Sequence, residues 1–136
     1  MVENVTPART WHALQENPLA QMVDVRTDAE WAYVGSPDLA PVHKRLLHIS
    51  WQVFPTMEVN PRFIEALRET EMTPDHHIYF LCRSGVRSLH AAHAAIAAGF
   101  PHAYNIADGF EGPPDGEGHR GTLAGWKAEG LPWLQR

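Results

Sequence analysis

The chain has 136 residues, which is enough for one domain with a hydrophobic core. Its formal net charge of −5 argues against nucleic acid as a default partner. No apolar run is long enough to span a membrane and no signal peptide is recognisable, so we expect a cytoplasmic protein without a membrane partner. The single cysteine cannot form an internal disulfide, which agrees with that expectation.

The first predicted elements are a short edge strand over residues 2–5 and a helix. Thr6 is a favourable N-cap, and Pro7 suits the first helical position because it needs no hydrogen-bond donor. The Asn-Pro pair at 17–18 ends this helix. Residues 21–25 then predict an apolar strand.

Charged side chains follow the strand at 21–25. We expect Asp24 to accept hydrogen bonds from nearby backbone N–H groups and so to hold a loop in shape. Arg26 and Glu30 are expected to form an ion pair that fixes the turn after the strand. All three residues are therefore predicted to position a loop.

The next stretch is harder to interpret. Residues 33–45 predict a surface loop, and a strand is expected at 46–50. The Asn-Pro pair at 60–61 opens a helix, because Phe63 and Leu67 recur at helical spacing on its inward face.

The only cysteine lies between a strand and a helix. Residues 78–81 form an apolar run typical of a strand buried on both faces, and residues 89–98 predict an alanine-rich helix that ends at Gly99. This order places Cys82 at the carboxyl edge of the sheet, where open α/β sheets bind ligands. Backbone N–H groups, the helix dipole and two nearby arginines favour a thiolate there, although a lone cysteine is more often a small buried apolar residue.

The remaining residues complete an α/β pattern. A last strand is predicted at 102–106, and residues 111–125 are rich in Gly and Pro and predict a loop. Alternating acidic and histidine side chains in that loop match no metal-ligand spacing, so we expect neither a metal nor a cofactor. A short terminal helix is expected at 125–133. Together these elements predict a parallel sheet of about five strands with helices on both faces.

Three motifs resemble the rhodanese-like sulfurtransferases. The stretch Cys-Arg-Ser-Gly-Val-Arg-Ser at 82–88 resembles the active-site loop of that family. Asp-Val-Arg at 24–26, followed by Glu30-Trp31, resembles an earlier family element, and Asp-Gly-Phe at 108–110 with Trp126 resembles the family's ending. The resemblance implies a rhodanese-like fold and a single rhodanese domain over 1–136, with residues 111–125 as a loop insertion.

The resemblance also implies a reaction. Cys82 would take sulfur from a small anionic donor, thiosulfate or a related persulfide, and would carry it as a persulfide to cyanide, a thiol or an acceptor protein. The loop residues that would bind substrate are Arg83, Ser84, Gly85, Val86, Arg87 and Ser88. The loop, with its two arginines, also resembles the thiosulfate type more than the mercaptopyruvate type, in which fewer positive charges follow the cysteine.

Two alternatives stay open. One is a non-catalytic or redox-sensing module that binds a partner. The other is a cysteine phosphatase or arsenate reductase, whose loops have five residues between cysteine and arginine; here only four separate Cys82 from Arg87. Residues 34–41 also differ from the Gly-His-Ile-x-Gly-Ala stretch of the family, so the role of the 34–45 loop is not defined by the resemblance.

Overall fold

A computed structural model describes residues 2–135 as a parallel sheet covered on both faces. The strands are β1 (Glu3–Val5), β2 (Ala20–Asp24), β3 (Ser36–Pro37), β4 (Leu47–His48), β5 (Gln52–Val53), β6 (Glu58–Val59), β7 (His77–Leu81), β8 (Ala103–Ile106) and β9 (Trp133–Leu134). The helices are α1 (Pro7–Glu16), α2 (Asp28–Tyr33), α3 (Phe63–Glu69) and α4 (Val86–Ala97), with a 3-10 turn at Ala40–Val42.

The main sheet has five parallel strands in the order β1-β8-β7-β2-β4. This arrangement confirms the predicted fold class. Strand β7 lies in the middle, with Phe80 opposite Val23 of β2 and Asn105 of β8. Residues that immediately follow β7 are therefore surrounded by the ends of β2 and β8.

Two hydrophobic clusters lie on opposite faces of the sheet. Along β7 the side chains alternate between them, because successive residues of a strand point to opposite faces. Phe80 and Cys82 pack with residues of α3 and α4, whereas Tyr79 and Leu81 pack with Leu14 of α1. The cysteine consequently lies on the face that α4 covers.

Several helices and strands begin or end at residues other than the predicted ones. Helix α4 begins at Val86, three residues before the predicted start, and β4 is shorter than the predicted strand at 46–50. The predicted helix near the C-terminus is wrong, since residues 126–130 form turns and Trp133–Leu134 pairs antiparallel with β3. Gly125 and Gly130 have φ of 99° and 74°, outside the right-handed helical region, so a helix could use only the few residues between them.

The 34–45 segment is more than a surface loop. It contributes β3 and the 3-10 turn, and three of its residues are buried. Together with Trp31 and Leu46 it lines a cavity of about 760 Å³, to which residues 82–88 do not contribute. The 111–125 segment forms a loop of turns and bends, as predicted.

Candidate active site

The Cys82 sulfur lies at the N-terminus of α4. Cys82 as a whole is only 1% exposed. The Gly85 backbone N–H donates to Sγ at 3.0 Å, and Ser88 Oγ lies 3.2 Å from the same sulfur. Gly85 is the N-cap of α4 with φ of 106°, a conformation that glycine adopts at little cost. The structure therefore has the strand–turn–helix arrangement that the sequence predicts.

The turn after β8 holds the first part of the cysteine loop. The Phe110 N–H donates to the Cys82 carbonyl at 2.8 Å, and the Glu111 and Gly112 N–H groups donate to the Arg83 carbonyl. A β-carbon on Gly109 would lie 2.3 Å from the Cys82 carbonyl oxygen. The two backbones can approach this closely only because residue 109 is glycine.

Asp24 and Arg26 form a completely buried ion pair. Arg26 Nη2 donates to Asp24 Oδ2 at 2.7 Å and also to the Gly35 carbonyl at 2.7 Å. The Arg26 backbone N–H donates to Asp24 Oδ1, which agrees with the expected capping role of this carboxylate. The guanidinium also lies 4.5 Å from the centre of the Phe110 ring. The predicted ion pair between Arg26 and Glu30 is wrong, because Arg26 has Asp24 as its partner.

Glu30 pairs instead with Arg87 of α4. Arg87 donates to both carboxylate oxygens, at 2.6 and 2.9 Å. Burial alone would raise the pKa of Glu30, but the hydrogen bonds and charge of Arg87 hold that pKa below its ordinary value. Likewise, burial opposes the charge of Arg87, and Glu30 nevertheless raises the pKa of Arg87 above its ordinary value. This pair ties α2 to the helix that follows the cysteine.

The pair was missed because Glu30 also belongs to a capping box. The Thr27 side chain accepts from the Glu30 N–H, while Glu30 Oε1 accepts from the Thr27 N–H. The Thr-x-x-Glu spacing at 27–30 is a readable signal of this motif. The capping box fixes the direction of α2, and in that direction the Glu30 carboxylate lies beside Arg87 of α4 and not beside Arg26.

The predicted loop residues do not all surround the sulfur. Gly85 and Ser88 contact Sγ directly, and the Arg83 and Val86 side chains are exposed. Asn105 of β8 is a further residue of the site that the motifs do not include, and its amide contacts both Gly85 and Ser88. A polar residue inside a short, mostly apolar strand is the one sequence feature that indicates such a role for Asn105.

Residues 2–135 hold no group of three or more His, Cys, Asp or Glu side chains arranged for a metal ion. In the 111–125 loop, Asp115 instead accepts hydrogen bonds from the backbone N–H groups of Glu117 and His119 and from the Thr122 hydroxyl. These bonds hold its pKa below the ordinary value. None of the described helices combines the length and apolar character needed to cross a membrane.

Comparison with protein families and curated proteins gives consistent matches along the chain. The family model described as STR4 middle domain matches residues 3–136. Uncharacterized protein RP600 homolog of Rickettsia rickettsii is 38% identical over 132 residues, which cover 97% of each chain. Rhodanese-like domain-containing protein 4, chloroplastic, of Arabidopsis thaliana is 29% identical over 98% of this chain, but the match covers only 26% of that protein.

Solved structures show the same architecture. The crystal structure of Rv0390 from M. tuberculosis has a TM-score of 0.90 and 43% identity, and the match covers 99% of this chain and 98% of that one. The polysulfide-sulfur transferase homodimer from Wolinella succinogenes has a TM-score of 0.69 and 24% identity, with coverage of 99% and 80%. The second likeness concerns the fold alone.

Proposed function

Because the chain belongs to the STR4 middle domain family and has the rhodanese-like fold, we propose that it is a sulfurtransferase that carries sulfur on Cys82. The observation that carries this proposal is the environment of the sulfur. Sγ lies at the start of α4, where it accepts the Gly85 N–H. Anions and thiolates are stabilised in such positions by backbone N–H groups and the helix dipole.

The proposed reaction has two displacements. In the first, the Cys82 thiolate attacks the outer sulfur of thiosulfate; a new S–S bond forms, the bond to the inner sulfur breaks, and sulfite leaves with that electron pair. In the second, an acceptor such as cyanide or a thiol attacks the terminal sulfur of the persulfide. The cysteine leaves as the thiolate again, so neither step needs an external oxidant or reductant.

The loop residues divide into two groups in this mechanism. The backbone N–H groups from Arg83 to Ser88 stabilise charge on the terminal sulfur, and the exposed Arg83 attracts the donor anion. Arg87 adds positive charge at the start of α4, in a position that its two hydrogen bonds to Glu30 fix. Arg26, paired with Asp24, reaches this loop through Phe110, whose ring it contacts and whose N–H donates to the Cys82 carbonyl.

We further propose that one rhodanese domain over residues 1–136 performs this reaction in the cytoplasm, without a cofactor and without a nucleic-acid or membrane partner. The acceptor is small or is an acceptor protein that presents a small reacting group, since Cys82 is only 1% exposed. A persulfide donor related to thiosulfate would react by the same displacement.

The alternatives predict different behaviour at the same cysteine. A phosphatase or arsenate reductase needs a loop wide enough for a tetrahedral oxyanion. In this loop Ser88 stands one residue beyond Arg87 and is buried against the sulfur, which leaves less room for such an anion. A non-catalytic or redox-sensing module would keep the cysteine but would not accept sulfur from a donor.

The deciding experiment measures the intact mass of the reduced protein before and after thiosulfate. We expect a gain of one sulfur atom that maps to Cys82 and is removed by cyanide. Cys82→Ser should abolish the gain while it leaves the circular dichroism spectrum unchanged, because serine fits the same small site. No gain in folded protein with a titratable thiol, tested with thiosulfate and with a persulfide donor, would contradict sulfur transfer and favour the binding or sensing module.

A further inference from the structure

The cavity of about 760 Å³ between α2 and the 34–45 segment has no part in the proposed reaction. Residues 82–88 do not line it. Leu39 and Leu46 of its wall belong to the hydrophobic cluster on the face of the sheet opposite Cys82. Its volume lies within the range of roughly 300–1,000 Å³ that is typical of sites for small organic ligands. The cavity is therefore separate from the sulfur site and large enough for a ligand of its own.

Apolar and aromatic side chains form most of the cavity wall. The main ones are Trp31 of α2, Pro37, Leu39, Leu46 and Leu134 of β9. Trp31 packs edge-on against His48, with the ring centres 4.6 Å apart. An indole ring is the aromatic group that attracts cations most strongly, and it also packs well against a flat apolar group. These walls suit a planar apolar body.

The 34–45 segment is held in place by contacts with distant parts of the chain. Ser36 lies opposite Leu134 in the pairing of β3 with β9. The Asp38 N–H donates to the Pro132 carbonyl at 2.9 Å. Lys44 Nζ donates to the Asn17 carbonyl at 2.8 Å and to the Ala20 carbonyl. The cavity is thus formed before a ligand enters, which lowers the entropy cost of binding.

The charge available to a ligand in this cavity is negative. The ammonium group of Lys44 is bound to two backbone carbonyls of residues that do not line the cavity. Asp28 and Asp38 each accept one backbone N–H on Oδ1, at 3.0 and 3.1 Å. Within residues 2–135 neither carboxylate forms an ion pair, and Oδ2 of each accepts no hydrogen bond. Two carboxylate oxygens therefore lie at the edge of an otherwise mainly apolar cavity.

We propose that this cavity binds a small organic cation with a planar apolar body. The body lies against Trp31 and the leucine side chains, and the carboxylates of Asp28 and Asp38 balance its positive charge. An anion of the same shape would be repelled by both carboxylates. This proposal does not depend on the proposed sulfur transfer.

The proposed site also accounts for the unusual sequence of the 34–45 segment. Residues 34–41 differ from the rhodanese pattern, and this stretch supplies Pro37, Asp38 and Leu39 to the cavity. It therefore contributes both apolar wall and negative charge. The difference from the family pattern coincides with the part of the chain that would recognise the ligand.

The test uses phenyltrimethylammonium, which combines a flat ring with a permanent positive charge. Its binding to the ¹⁵N-labelled wild-type protein is followed by ¹H–¹⁵N NMR at pH 8, without a sulfur donor. We expect saturable shifts of the Trp31 indole signal and of backbone signals from residues 34–45, with a dissociation constant in about the millimolar range or below. Benzenesulfonate and tetramethylammonium, which lack the positive charge and the ring respectively, should each bind at least about fivefold more weakly.

Two variants separate the contributions of charge and ring. Asp38→Asn should raise the dissociation constant by about three- to fivefold, because it removes one of the two negative charges. Trp31→Leu should raise it by about threefold, because it removes the aromatic face. Asp75→Asn is the matched control: it removes the same charge at an exposed position outside the cavity and should bind like wild type. Asp38→Asn decides alone if Trp31→Leu fails to fold.

Four results would overturn the proposal: no saturable shifts at the cavity, benzenesulfonate binding as tightly as the cation, Asp38→Asn binding like wild type, or equal weakening by Asp38→Asn and Asp75→Asn. The last result would indicate general attraction of a cation to a chain with a net charge of −5. Since the measurement needs neither a sulfur donor nor Cys82, its failure is distinguishable from failure of sulfur transfer.

Discussion

At the scale of single residues, Glu30 connects two parts of the molecule. Its carboxylate closes the capping box of α2, and it accepts two hydrogen bonds from Arg87. The Glu30 and Arg87 side chains are 20% and 16% exposed, so solvent screens their attraction only weakly. One carboxylate therefore fixes the start of α2 and also the first turn of the helix beneath the cysteine.

Glu30→Gln should lower the free energy of unfolding by about 1–3 kcal/mol near neutral pH, because Arg87 loses its charged partner. The pKa of Glu30 is lowered in the folded protein, so its stabilising effect is present above the ordinary value of 4.5 and is lost as pH falls through the lower folded value. Urea denaturation of both proteins at about pH 7 and about pH 3.5 measures this difference.

The difference in stability between wild type and Glu30→Gln should shrink at the acidic pH. A difference that is equal at both pH values would show that the glutamate stabilises the fold through packing or capping and not through its charge. Arg62→Gln is a suitable control, because Arg62 and its partner Glu65 are both largely exposed and their pair should contribute little.

At the scale of elements, the turn after β8 acts as a clamp on the cysteine loop. Three N–H groups from residues 110–112 bind the carbonyls of Cys82 and Arg83. Gly109, with φ of 58°, brings this turn against the loop. The geometry of the sulfur site thus depends on a segment that begins 27 residues further along the chain, because the clamp starts at Gly109 and the loop at Cys82.

Gly109→Ala should separate the clamp from the loop, since a β-carbon would lie 2.3 and 2.7 Å from the Cys82 oxygen and the Arg83 carbonyl carbon. We expect at least a tenfold loss of the sulfur-transfer rate and a lower free energy of unfolding by roughly 2 kcal/mol or more. Cyanide-dependent release of thiocyanate and urea denaturation measure these two effects. Gly116→Ala is the control, because nothing lies within 4 Å of its would-be β-carbon; equal effects in the two variants would argue against the clamp.

The sequence predicts the helices and strands better than the side-chain contacts between them. The apolar run at 78–81 and the Thr-Pro start of α1 are local signals, and both agree with the structure. The partner of Arg26 could not be predicted, because the choice between Asp24 and Glu30 depends on the direction of α2. The Asn105 contacts likewise depend on β8 lying beside β7, which is a long-range pairing.

At the scale of the whole molecule, residues 132–134 near the C-terminus bind to segments that are distant in the sequence. Strand β9 pairs with β3, the Pro132 carbonyl accepts from Trp126 Nε1 and from the Asp38 N–H, and Trp133 packs edge-on against Phe110. Phe110 in turn contacts the guanidinium of Arg26. The segment is thus connected through one aromatic ring to the buried ion pair under the site.

Trp133→Ala should lower the free energy of unfolding by about 1–3 kcal/mol, because it removes the ring that covers Phe110 and the cation–π contact with Lys127. Leu134→Ala, on the same strand but 51% exposed, should have less than about half of that effect. Urea denaturation followed by circular dichroism gives both values. If the two variants lost equal stability, strand pairing and not the Trp133 ring would be the main contribution of this segment.

The long separations between the residues around Cys82 also have a consequence for biosynthesis. Asn4 and Asn105 are 101 positions apart, and Glu30 and Arg87 are 57 apart. While the ribosome is still adding residues before position 105, Cys82 has been made, but Asn105, which contacts the neighbouring Gly85 and Ser88, and the turn at 109–112 have not. The environment of the Cys82 sulfur can therefore be complete only when translation has passed residue 112 and the distant strands have paired.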